Sequence, residues 1–241
     1  MPRFLIILVI IFNLCVSSAF CDPLVIAAGA GYKRMLEGII QIYKDKTGTK
    51  VDQIYGHMGQ VLMQAKASGV VSLVLGEHDF LENSDVDFDS FHKIGNGILV
   101  LAYRKGVNLQ KPEDLCGKGI SKIAVPDPKQ AVYGKAAREF LNNTGLGKKL
   151  GEKLLVVSTV PQVSAYVISK DVDAGFVNLT DAIYIRDKIG GFIELDKNKY
   201  KPISIVIGVT KNGANHPGGL EFLDFVENST AAKAVITKAG L

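Results

Sequence analysis

Two periodicities alternate along this chain. Residues 24–28, Leu-Val-Ile-Ala-Ala, form a short unbroken apolar run that reads as a buried strand. Gly29-Ala30-Gly31 lets the backbone turn tightly. Tyr32, Met35, Leu36, Ile39, Ile40 and Tyr43 then recur at helical spacing, and Gly48 closes that helix after Lys44 and Lys46. A glycine loop feeding a helix start presents free backbone N–H groups, which favour an anion.

The same alternation continues. Strands are expected over 50–55, 72–75, 98–103, 120–125, 154–157, 174–177 and 203–209. Helices are expected over 61–67, 132–141 and 161–169, with a closing helical region over 220–238 whose apolar side carries Phe222, Phe225, Val226, Val235 and Ile236. Residues 56–59 (Gly-His-Met-Gly) and 76–78 (Gly-Glu-His) read as loops, and 82–89 as a polar, acidic connection. Strands alternating with helices predict an α/β fold with parallel sheets covered on both faces. No fixed-period repeat or low-complexity tract interrupts it.

The first residues change the picture. Arg3 precedes an apolar run over 4–12, too short to span a bilayer and of the length of a signal-peptide core. Ser17 and Ala19 supply the small residues that a signal peptidase reads, so cleavage is expected before Phe20, giving an exported, periplasmic protein. Acylation of Cys21 as a lipoprotein is the weaker reading, because bulky Phe20 precedes it. Residues 20–241 keep a slight positive balance, since the whole chain carries only +4. That balance helps draw in small anions, but no cluster of Lys and Arg with interleaved aromatics points to nucleic acid. Export permits a bond between Cys21 and Cys116, and the sequence leaves that pairing open.

The catalytic inventory is thin. Gly29-Ala30-Gly31 lacks the third glycine of a dinucleotide fingerprint, and there is no phosphate-binding GxxxxGK[ST] run. The four histidines, His57, His78, His92 and His216, lack HExxH spacing, and no CxxC or GxSxG occurs. The expectation is a binder with no cofactor, and not an enzyme.

Several segments, in order, resemble the periplasmic molybdate-binding proteins of ABC importers. Residues 25–43 are similar to that family's opening strand, loop and first helix, and residues 55–75 to its second strand, serine-rich loop, helix and third strand. Residues 95–100 resemble its first crossover strand. Residues 125–128 followed by 133–137 resemble a Gly-Asp-Pro and Ala-Gly-x-Tyr-Ala element. Residues 173–177 followed by Thr180-Asp181-Ala182 match a late strand and helix start, and 231–241 the C-terminal helix. The resemblance implies a two-lobed periplasmic binding protein fold of type II with two crossover strands, at 97–104 and 202–209. Lobe one would comprise 20–100 plus 205–241, and lobe two 101–204. It also implies an ABC permease as partner and no stable membrane insertion once the signal is removed.

The departures from the resemblance are specific. Members of that family hold their oxyanion with backbone N–H groups, two serine hydroxyls and a tyrosine hydroxyl. Carried over by position, the serines fall on Gly31 and Met58, the tyrosine on Asn178, and a small residue that supplies a backbone donor on Tyr133. Each hydrogen bond lost to a charged group is worth roughly 1.5–3 kcal/mol, so a larger carboxylate, phosphate ester or other oxyanion is expected in place of molybdate. The expected ligand-binding residues are Gly29, Ala30, Gly31, Lys33, His57, Met58, Gly59, Gln60, Tyr133 and Asn178. Helix starts at Gly31, Gly59 and Gly134 are expected to supply fixed donors, in a cleft wider than a molybdate site. Two other readings stand beside this one: copper or iron capture by His57, Met58 and His78, and a surface interaction or colonisation role on the same scaffold.

The N-terminal reading is tested directly. Intact-mass measurement of the exported protein is expected to place its first residue at Phe20, and an acylated Cys21 would overturn that assignment.

Overall fold

The computed structural model describes residues 23–241. The expected signal segment, the cleavage before Phe20 and the chemistry of Cys21 lie outside the described residues. Cys116 is a free, exposed thiol.

The chain begins with β1 (Leu24–Gly29), α1 (Lys33–Thr47), β2 (Val51–Gly56), α2 (Met58–Ser68), β3 (Leu73–Glu77), α3 (His78–Glu82) and β4 (Phe88–Gly97). Next come β5 (Leu99–Tyr103), β6 (Ile123–Pro126), α4 (Val132–Asn143), α5 (Leu146–Leu150), β7 (Leu154–Val157), α6 (Val160–Ser169), β8 (Ala174–Asn178), α7 (Leu179–Ile185) and β9 (Gly191–Glu194). The closing elements are β10 (Ile203–Thr210), α8 (Lys211–Ala214), α9 (Pro217–Asn228) and α10 (Thr230–Lys238). Two five-stranded sheets result, ordered β2-β1-β3-β10-β4 and β7-β6-β8-β5-β9. This is an α/β, two-lobed arrangement.

Neither sheet is purely parallel, contrary to the expectation from the alternating pattern. Strand β1 runs parallel to β2 and β3, but β10 is antiparallel to both β3 and β4. In the second sheet β6 is parallel to β7 and β8, while β5 is antiparallel to β8 and β9. The antiparallel strands are those next to the passages between sheets. The chain leaves the first sheet after Gly97 and enters the second at Leu99, so only Ile98 separates them; it returns between Glu194 and Ile203.

Burial follows the strand period. Leu24, Ile26 and Ala28 face α1, whose buried stripe is Met35, Leu36, Ile39, Ile40 and Tyr43. Val25 and Ala27 face the opposite way, onto Val61 and Ala65 of α2. The Tyr43 ring meets Phe222 of α9 edge-on at 5.1 Å, tying the C-terminal helices to the first lobe. Side chains of this size stabilise the fold by roughly 1.5–3 kcal/mol each when fully buried. Helix α1 ends at Gly48, whose φ of 73° is the left-handed conformation a glycine cap adopts without strain.

The second lobe is fastened by one carboxylate. Asp173, just before β8, accepts from the Ser121 N–H at 2.7 Å, the Ser121 hydroxyl at 2.9 Å and the Lys122 N–H at 3.0 Å. Arg104, just past β5, donates its Nε to the other oxygen at 2.9 Å. Burial alone would raise the Asp173 pKa, but these donors outweigh it and hold it at about 2.

A pH dependence follows from Asp173. Its folded pKa lies below the unfolded value, so its contribution is fully present above about pH 4 and is lost as pH falls through about 2. Asp173→Asn is expected to cost about 1–2 kcal/mol at pH 7 and much less at pH 2. Denaturant unfolding at the two pH values checks this, and an equal loss at both would overturn it.

Candidate functional site

Between the lobes lies a cleft whose empty volume, open solvent included, is about 400 Å³. It is built from helix starts. Because β1, β2 and β3 are parallel, α1, α2 and α3 all begin at the same sheet edge, and the parallel trio of β6, β7 and β8 does the same for α4, α6 and α7. A 3-10 turn over Ala30–Tyr32 precedes α1, and no side chain caps its start at Gly29. The start of α4 at Ala131 is likewise uncapped by any side chain. Their first N–H groups therefore have no intrahelical or side-chain acceptor. These two starts come from opposite lobes, and both line the cleft, through Gly29, Ala30 and Gly31 on one side and Ala131, Val132 and Tyr133 on the other.

Two further helix starts line the same space and carry side-chain caps. His57 Nδ1 accepts the Gln60 N–H at 3.1 Å, and Thr159 Oγ1 accepts the Gln162 N–H at 3.3 Å. A neutral imidazole that accepts at Nδ1 carries its proton on Nε2, and the Thr159 hydroxyl keeps its own proton to donate. Met58 is buried, and its thioether packs so closely that a Cβ on Gly29 or Gly76 would lie 3.2 Å from Sδ. Among the described residues, no lysine or arginine lines the cleft.

Polar contacts among the described residues join the lobes around it. The hydroxyls of Tyr32 and Tyr133 lie 2.5 Å apart, with ring centroids at 6.3 Å. Asn178 Nδ2 donates to the Gly31 carbonyl at 3.3 Å. Arg34 of α1 reaches Asp181 of α7 at 2.6 Å, and Asp181 also accepts from the Ser164 hydroxyl. Burial pushes both tyrosine phenols up, so they stay protonated well above neutral pH. Burial also raises Glu77, whose carboxylate caps α3 through the Asp79 and Phe80 N–H groups.

The structure gathers Gly29, Ala30, Gly31, His57, Met58 and Tyr133 on the cleft and leaves the other expected residues elsewhere. Lys33 points away, paired with Glu37 at 3.8 Å and lying over the Tyr55 ring. Gln60 packs against Gly56, where a Cβ would lie 2.8 Å from its Oε1. Gly59 lines a separate groove with Leu62 and Met63. Asn178 is fully buried, and its carboxamide fills the space over Gly31, where a Cβ would meet Oδ1 at 3.0 Å. The extra room expected at Gly31 is therefore taken. The Gly134 N–H is not available either, because it bonds to the Ala131 carbonyl at 3.0 Å. Gly134 instead lets α4 pack against the backbone carbonyls of Pro126 and Asp127.

His57, Met58 and His78 do not form one ligand set. His78 lies off the cleft, with Nδ1 near Asp79 and Glu82, and those three form the candidate cation cluster among the described residues. Tyr32 and Thr159 were not singled out in the sequence. Tyr32 falls in the helical apolar stripe and so reads as core, and Thr159 carries only the signal of a helix cap.

A fold of two α/β lobes with a cleft of helix starts between them defines a solute-binding protein. The chain belongs to the bacterial extracellular solute-binding protein family, whose model matches residues 24–241. A Haemophilus influenzae protein described as a binding protein is 32% identical over 171 residues, covering 67% of this chain and 68% of that protein. The molybdate-binding protein of Rhodobacter capsulatus is 24% identical across 92% of this chain and 89% of its own length. Among solved structures, the periplasmic molybdate-binding protein of Azotobacter vinelandii superposes with a TM-score of 0.82 at 26% identity, over 90% of this chain and 97% of that one. No helix among the described residues is long and apolar enough to cross a membrane.

The ion pair between the lobes yields a test. Asp181 is almost wholly buried, and burial raises its pKa in spite of Ser164 and Arg34. Its charged form therefore costs stability as pH rises above the unfolded carboxylate value, and Arg34 offsets part of that cost. Arg34→Ala is expected to destabilise the fold by about 1–2 kcal/mol at pH 7, discounted because Arg34 is half exposed, and by less at pH 4. Thermal unfolding at both pH values decides it.

Proposed function

We propose that this protein captures a small anion in the cleft between its lobes and delivers it to an ABC permease outside the cytoplasmic membrane. One observation carries the reading: two helix starts without side-chain caps, one from each lobe, line the same space. The partial positive charge of each start favours an anion. The His57 imidazole and the Tyr32, Tyr133 and Thr159 hydroxyls supply polar groups around these N–H donors.

The reading extends to the kind of anion. With no lysine or arginine among the described residues that line the cleft, charge is met by dipoles, hydroxyls and the His57 imidazole. At the positions where the molybdate-binding relatives' resemblance places serines and a tyrosine, this chain has Gly31, Met58 and Asn178. A thioether cannot replace a hydroxyl donor, and the Asn178 carboxamide is turned to the Gly31 carbonyl. Molybdate and tungstate are therefore poorer ligands here than a carboxylate, a phosphate ester or another oxyanion. In this reading the lobes are the two sheets with their helices, which exchange the chain at Ile98 and between Glu194 and Ile203, and closure between them accompanies capture.

A thermal-shift panel of oxyanions, phosphate esters and carboxylates tests both parts. A ligand present at 100 times its dissociation constant is expected to stabilise the protein by about 2.7 kcal/mol, with molybdate giving a smaller shift than the best anion. Stabilisation by copper or iron alone would overturn the anion reading. Submicromolar molybdate binding in calorimetry, unchanged in Met58→Ser, would overturn the ranking alone.

A further inference from the structure

We propose that Tyr32 and Tyr133 are the ligand-reading pair of the cleft, exchanging the bond between their hydroxyls for bonds to the captured anion, with Gly97 keeping the room this requires. The proposal rests on the anion-capture reading above and deepens it.

The two phenols come from opposite lobes, and both line the cleft at only 3% exposure. Each sits in the first turn of one of the two uncapped helix starts, so their hydroxyls and the free N–H groups serve one space. A direct O–H···O pair uses one phenol proton as donor and leaves the second proton without a role in that bond. An anion placed between the oxygens takes both protons and trades one neutral hydrogen bond for two charge-assisted ones, which are the stronger kind. With no lysine or arginine among the described residues of the cleft lining, these hydroxyls are its principal side-chain donors, beside Thr159 and His57.

Tyr133 also reaches the passages between the lobes. A Cβ on Gly97 would overlap the Tyr133 hydroxyl and stand 2.8 Å from Ile203 Cγ2. Gly97 and Ile203 are paired across β4 and β10, at the points where the chain leaves and re-enters the first sheet. A ligand that draws the Tyr133 hydroxyl toward itself therefore moves a group packed against both passages. Recognition and lobe position meet at one oxygen atom.

The chain contains no tryptophan and eight tyrosines, so tyrosines dominate its near-ultraviolet absorbance and a ligand-induced change at these two phenols is read as part of that signal. The experiment titrates molybdate, sulfate, inorganic phosphate, glycerol 3-phosphate and citrate into the wild type, Tyr32→Phe, Tyr133→Phe, Gly97→Ala and the solvent-exposed control Tyr184→Phe. For the anion that binds the wild type best, each cleft variant is expected to lose ~10-fold or more in affinity, with Tyr184→Phe within about twofold. Saturating wild type is expected to perturb the tyrosine absorbance, a readout that needs no variant to fold. Binding kept within about twofold in both phenylalanine variants, or no tyrosine perturbation at saturation, would overturn the pair's role and leave anion capture standing. If none of the five anions binds the wild type, the anion-capture reading falls and the pair's role falls with it.

Discussion

Parallel pairing is the constraint on which everything else depends. Once β1 hydrogen-bonds alongside β2 and β3, the helix after each strand must begin at the same edge of the sheet. The trio of β6, β7 and β8 imposes the same order on the second lobe. Six helix starts thus collect on two facing edges, and no single side chain has to create the polarity of the gap between them. The fold supplies the field, and the side chains decide which starts remain available. His57, Glu77 and Thr159 turn their polar atoms back to satisfy α2, α3 and α6. The start of α7 has no side-chain cap either, but its Leu179 N–H bonds to the Ile98 carbonyl. The starts at Gly29 and Ala131 are left open and face one another across the cleft.

The contacts that hold the lobes together differ in kind. Arg34 and Asp181 form a charged contact, one half in water and the other buried, so its strength depends on protonation. Tyr32 and Tyr133 form a neutral, buried contact whose phenols keep their protons across the physiological range. Asn178 spends its amide on the Gly31 carbonyl and leaves its own oxygen buried without a partner.

Much of the fold was legible because its strands are largely apolar runs and its main helices have a clean stripe. Residues 154–157 and 203–209 show the first signal, and α1 shows the second. Strand β4 was not legible. It lies at the edge of its sheet, and its burial pattern is mixed from Phe88 to Asn96, so neither a two-residue alternation nor an apolar run marks it. The parallel-only expectation failed for a related reason: β5 and β10 look like any buried strand, and nothing in an apolar run records its direction. At the site, the glycines and His57 were visible because loop position follows from the strand and helix boundaries. The fates of Lys33, Gln60 and Gly134 were not, since each depends on which way a side chain or an N–H turns within one helical turn. Tyr32 was hidden by its own hydrophobicity.

The order of strands in the first sheet also bears on how the molecule comes into being. Every strand of the second sheet lies between Leu99 and Glu194, one uninterrupted stretch of chain. The first sheet instead receives β10 between β3 and β4, in its interior and not at its rim. Until residues 203–210 emerge, β3 and β4 have no common partner, and each exposes an unpaired edge. The second lobe can thus complete itself while the first waits for a strand encoded more than a hundred residues after β3. During synthesis or export this makes the N-terminal half the slower to finish, and the half more in need of protection from aggregation.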